Sequence, residues 1–160
     1  MIKFKDSDIG KQATTFLRKR YDFVTEKVNA TPISYFVLPQ ELNPELPDFA
    51  FRMTGDSEIY LLGVSESVNP KFRKFVAFHE FAEFMEIGDI CGRCLEASER
   101  EVKAVEKSDL SGMEKAEYFI MRRDFFKNLI DYAKGISSAN EEIAEFEKSR
   151  RFFKKVCFMG

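Results

Sequence analysis

Residues 49–86 read FAFRMTGDSEIYLLGVSESVNPKFRKFVAFHEFAEFME, and the change of period within this stretch decides the fold. Over residues 49–54, Phe49, Phe51 and Met53 alternate with Ala50, Arg52 and Thr54, the two-residue repeat of a strand with one buried face. Gly55, Asp56 and Ser57 have turn chemistry, and residues 58–64 (EIYLLGV) predict a second strand, so the two form a hairpin. Asn69 then supplies a helix cap and Pro70 a first helical residue, and helical spacing runs to about Glu86. A helix therefore follows the sheet directly. It carries His79, the only histidine in the chain.

Working outward, residues 6–29 place Ile9, Ala13, Phe16, Leu17, Tyr21, Val24 and Val28 near helical spacing behind an Asp/Ser start, which predicts a first helix. Pro32 ends it, and residues 33–38 (ISYFVL) predict a strand bounded by Pro39. Residues 40–48 hold Pro44 and Pro47 with no period and predict a loop. Downstream, Gly88 and Gly92 break the chain around Cys91, after which residues 95–107 predict a helix. Residues 111–133, opened by a Ser-Gly-Met-Glu capping box, and residues 139–158 predict two longer helices. This order predicts an α+β protein: a helix, then a small antiparallel or mixed three-stranded sheet packed against helix 70–86, then further helices. A single domain spanning 1–160 is expected.

Composition narrows the function classes. A chain of 160 residues, 44% hydrophobic and 32% charged, has the make-up of a globular protein with a real core. The formal net charge of −2 gives no global basic field for nucleic acid or an anionic membrane. The opening MIKFKDSD lacks an apolar signal core, and no segment approaches the roughly 20 apolar residues of a membrane span, so no membrane partner and a cytoplasmic location are expected. Three cysteines, an odd number, argue against a disulfide scaffold. Eighteen phenylalanines and no tryptophan predict a core packed largely by Phe.

The chemistry concentrates in His79-Glu80-Phe81-Ala82-Glu83. On a helix His79 and Glu83 lie one turn apart on one side, where both reach a single ion, and Glu80 lies at its flank. This pattern, behind the apolar Phe75, Val76 and Phe78 and after a hairpin, resembles the active-site helix of zincin-like metallopeptidases, with H-E-x-x-E where that family has H-E-x-x-H. The resemblance covers about residues 33–106. It implies a zinc-dependent hydrolase acting on a peptide or protein, with His79 and Glu83 as ligands and Glu80 as the general base that takes a proton from water. Carboxylate oxygen is an adequate zinc ligand, so Glu83 is compatible with a site.

Such a site needs a third protein ligand. A gluzincin-like arrangement implies Glu101 or Glu99 on the next helix, with Glu101 the better match. Cys94 stands level with Glu101, because thiolate binds zinc tightly and Cys94, Ala97 and Glu101 share a helical face. A metzincin-like spacing implies Asp89, which ranks third because that family's glycine is here Glu86, with Gly88 two residues late. Cys91-Gly-Arg-Cys94 is a single C-x-x-C, readable as inert thiols, metal ligands or a reversible disulfide. Cys157 reads as packing. Basic clusters at Arg18-Lys19-Arg20 and at Arg150-Arg151 with Lys154-Lys155, the second interleaved with Phe152 and Phe153, read first as solvated helix faces and second as a nucleic-acid surface. The rival to hydrolysis is a zincin-like interaction module that has lost the chemistry.

Overall fold

The computed structural model describes residues 3–5, 17–54, 60–88, 92–136 and 140–159. They form a mixed α+β structure that divides into two compact units, 1–81 and 82–160.

The first unit is a sheet with a helix on it. Its strands are β1 (Lys3–Lys5), β2 (Phe23–Val28), β3 (Thr31–Leu38), β4 (Ala50–Thr54) and β5 (Tyr60–Ser65), in spatial order β1-β4-β5-β3-β2. β4 pairs antiparallel with β5 and β3 antiparallel with β2, whereas β3–β5 and β1–β4 are parallel. The hairpin read from residues 49–64 is present, with its predicted turn at 55–57 outside the described residues. Among the described residues the sheet has five strands, not the expected three.

One added strand corrects the first predicted helix. Residues 17–20 are helical, but residues 23–28 form β2, and 6–16 lie outside the described residues. Phe23, Val24, Thr25 and Val28 fit a pleated strand better than a helix interior. Val24, Glu26 and Val28 alternate inward against the more exposed Phe23, Thr25 and Lys27. Asn29, in the left-handed region at φ 56°, turns the chain so that Val28 faces Thr31, a conformation asparagine tolerates better than most residues. Tyr35 then donates to Glu26, and the Phe23 and Phe36 rings lie 4.8 Å apart.

The core of this unit is phenylalanine-rich: Phe36, Phe49 and Phe75 are fully buried, with Ile33, Tyr35, Leu46 and Val64. Ala50 and Arg52 of β4 are buried as well as Phe49 and Phe51, so this central strand is covered on both faces, not one. Gly63 of β5 stands opposite Phe36 on one side and Phe51 on the other. Residues 40–48 form a 3-10 turn (Gln40–Leu42) and an irregular link organised by Gln40. Its Nε2 donates to the carbonyls of Asn43 and Leu46, and its Oε1 accepts from Asp48 N–H, Ser65 and Ser67. The link hands the chain to the helix that packs on the sheet, α1 (Arg73–Phe81). Asn69 accepts from Lys71 N–H at 3.0 Å, but residues 70–72 form a turn and the helix begins at Arg73, three residues after the predicted start at Pro70.

The second unit is helical. It contains a π-helical segment (Ala82–Ile87), α2 (Arg93–Glu106), α3 (Gly112–Gly135) and α4 (Asn140–Met159). The capping box at Ser111 forms in full: its Oγ accepts from Glu114 N–H, and the Glu114 carboxylate accepts from Ser111 N–H. α3 and α4 pack through aromatic rings, Phe126 stacking on Phe153 at 5.6 Å. Arg122 lies within 6 Å of Phe125, Phe126 and Phe153. Among the described residues, no helix is long and apolar enough to cross a membrane.

A candidate metal centre at His79, Glu83 and Cys94

α1 loses its α geometry after Phe81, and the chain continues without interruption as the π segment from Ala82. The widening shows in the backbone, where Gly88 N–H reaches Glu83 C=O at 3.1 Å, five residues back. Gly88, at φ 86°, then stops the helix in a conformation suited to glycine. Single π turns inside α-helices are frequent at functional sites. The sequence reading expected an unbroken α-helix to Glu86 and carried no signal of this change.

His79 lies at the end of α1 and Glu83 in the first turn of the π segment, while Cys94 is the second residue of α2. One ligating atom from each, an imidazole nitrogen, a carboxylate oxygen and Sγ, lies within 4.8 Å of the other two. All three side chains are buried, as is Glu80, the neighbour of His79 on the helix, which is not part of the trio. Ionisable groups this deep persist only when hydrogen-bonded, paired or coordinated. The donor set suits a borderline-soft divalent ion. An ion about 2.0–2.3 Å from N, O and S ligands holds them roughly 3.5 Å apart, a separation within the 4.8 Å limit of the trio.

Partners from the second unit surround Glu83 and Cys94. Arg93 Nε lies 3.2 Å from Glu83 Oε1, and its guanidinium stacks over Phe84 at 4.6 Å. Arg100 makes a further ion pair with Glu86, so two arginines of α2 hold the π segment. At the start of α2, Gly92 at φ 82° has no side chain to cap the helix, and Glu145 of α4 does so instead, accepting the Gly92 N–H at 2.9 Å. Behind Cys94 stand two fully buried serines. Ser149 Oγ of α4 is 3.2 Å from Cys94 Sγ, and Ser98 Oγ is 3.0 Å from Ser149 Oγ and 2.9 Å from the Cys94 carbonyl. Arg93, Ser98, Ser149 and Glu145 carried no motif that sequence reading could find.

The other ligand candidates separate. Glu101 is wholly buried but belongs to a different network: it accepts from Arg122 Nε at 2.6 Å, Arg122 Nη2 at 3.1 Å and the Tyr118 hydroxyl. Burial, and then the nearby Glu101 charge, push the Tyr118 pKa well above its ordinary value. Glu99 is exposed. Asp89 and Cys91 lie outside the described residues, while Cys94 is buried and Cys157 only partly covered. Burial raises the pKa of the Cys157 thiol. Of the basic clusters, residues 18–20 are exposed, and on α4 Arg151, Lys154 and Lys155 are exposed around the buried Phe153.

The chain matches no protein-family model, no curated protein and no solved structure.

Proposed function

We propose that the chain is a zincin-like, zinc-dependent hydrolase of peptide bonds, in which His79, Glu83 and Cys94 hold the metal and Glu80 is the general base. The observation that carries this reading is the convergence of imidazole, carboxylate and thiol on one buried spot, the first two on a helix that follows a β-hairpin and the thiol at the start of α2. Glu101 drops out of the proposed ligand set because Arg122 and Tyr118 occupy its carboxylate. Three protein ligands leave one position of a tetrahedral site open, as catalytic zinc requires.

When bound, zinc supplies Lewis acidity that polarises a carbonyl and acidifies water. The chain's own residues do the rest. His79 and Glu83 are fixed one turn apart by the helix, and Arg93 forms an ion pair with one Glu83 oxygen at 3.2 Å. Glu80, carried on the residue after His79, takes the proton from the attacking water and returns it to the leaving amine.

The Arg93–Glu83 pair also favours a second reading, in which the arginine balances the buried carboxylate in the ion's stead and the protein is a non-catalytic interaction module. Elemental analysis separates the two. Purified without chelator or polyhistidine tag, the protein is expected to carry zinc, or take up one equivalent when it is added. No stoichiometric metal under either condition would sink the hydrolase reading. If metal is bound, Glu80→Gln is expected to abolish peptide hydrolysis with metal content unchanged, and full turnover in that variant would remove Glu80 as base.

A further inference from the structure

We infer that Ser149 is a positioning residue for the metal centre, its hydroxyl donating a hydrogen bond to the Cys94 sulfur when that sulfur is a ligand. The inference rests on the reading of His79, Glu83 and Cys94 as a metal site, and adds to it a residue from the last helix.

The direction of the bond follows from counting protons. Ser98 has one hydroxyl hydrogen, and the Cys94 carbonyl, 2.9 Å away, can only accept. A ligating sulfur is a thiolate, and a thiolate also can only accept. The group placed to donate to it is Ser149 Oγ, at 3.2 Å. Ser98 Oγ is also the donor toward Ser149 Oγ at 3.0 Å, so its one hydrogen is shared between that oxygen and the Cys94 carbonyl, and the Ser149 hydrogen stays available for the sulfur. Ser98, Ser149 and Cys94 are buried at 0%, 0% and 5% exposure, so water does not replace the bond, and its effect on the sulfur is not diluted by solvent. Partners of metal ligands of this kind fix the ligand's orientation and its electron donation.

Cobalt(II) substitution reads the sulfur directly, because a cobalt–thiolate bond gives a charge-transfer band whose energy tracks the sulfur lone pairs. Removing a hydrogen bond raises those lone pairs in energy, so Ser149→Ala is expected to move the band to longer wavelength. Its zinc affinity, measured by competition with a chromophoric chelator, should fall about 10- to 100-fold. Ser98→Ala leaves the Ser149 hydroxyl in place and is expected to keep the band within a small fraction of that shift. Ser149→Thr also keeps the hydroxyl and is expected to keep the wild-type band, which covers the case of a poorly folded alanine variant. An unmoved band in Ser149→Ala, or an equal shift in Ser98→Ala, overturns the inference while leaving the metal site standing. A wild-type protein with no cobalt–thiolate band overturns the metal site, and the inference with it.

Discussion

Arg122 grips Glu101 through two N–H···O bonds, Nε to Oε2 at 2.6 Å and Nη2 to Oε1 at 3.1 Å, and both side chains are sealed from solvent. Removing one member of such a pair strands a buried charge. Arg122→Ala is expected to destabilise the protein by about 3–5 kcal/mol, seen as a lower urea midpoint. Glu101→Gln should lose stability but keep its zinc stoichiometry. A folded Glu101→Gln protein without zinc would restore Glu101 to the ligand set.

Cys94→Ala removes the softest donor of the trio, and its effect should exceed that of any residue acting through a ligand. Zinc affinity is expected to fall by more than about 100-fold, against the 10- to 100-fold range for indirect partners. Cys157→Ala, in which a partly covered thiol far along α4 is removed, is expected to bind zinc as the wild type does. Equal zinc affinity in the two variants would exclude Cys94 as a ligand.

The raised Tyr118 pKa predicts loss of stability in alkali. An unfolded tyrosine ionises near pH 10, while the folded protein keeps its Tyr118 proton to higher pH. Above pH 10 the unfolded state binds fewer protons than the folded one, so the unfolding free energy falls as pH rises, by up to about 1.4 kcal/mol per pH unit, until the folded group ionises. Stability from this source is fully present below pH 10. Tyr118→Phe should therefore show a shallower decline above pH 10 in denaturant titrations. Some decline remains, because burial and Glu26 raise the Tyr35 pKa as well. An identical slope in the Phe variant would refute the assignment.

Gly63 is a packing requirement. A Cβ at this position would stand 2.6 Å from Leu38 Cδ1 and 3.1 Å from Phe51 Cδ1. Gly63→Ala is expected to cost roughly 1–3 kcal/mol, the usual penalty of overpacking. Combined with Leu38→Ala, which vacates the space, its cost should be less than the sum of the two single changes. Strict additivity would show that the clash is relieved elsewhere.

These residues also show what the sequence could and could not reveal. The pairing of β4 with β5, the Asn69 side-chain acceptor and the Ser111 capping box were legible because each rests on local chemistry: an alternation, a turn-forming side chain, a reciprocal pair of bonds. Residues 23–28 were misread because Val24 and Val28 are four apart and satisfy a helical period, while their strand identity depends on β3 lying alongside. β1 was missed for the same reason, since it pairs with residues about 49 positions away. At the candidate site, the i, i+4 spacing of His79 and Glu83 and the value of Cys94 could be seen in the chain. That Glu101 turns to Arg122 instead, and that Ser149 stands behind Cys94, depends on how helices pack, which no spacing within one helix encodes.

Gly92 and Cys94 take their partners from Glu145 and Ser149, 53 and 55 positions later in the chain. On the ribosome, the thiol is therefore made well before the hydroxyl and carboxylate that complete its surroundings. Until α4 has emerged and docked, Cys94 lacks the Ser149 contact and the cover that the last helix gives it. Synthesis order thus sets an interval in which this part of α2 stands uncovered, and its length depends on how quickly the last helix finds α2.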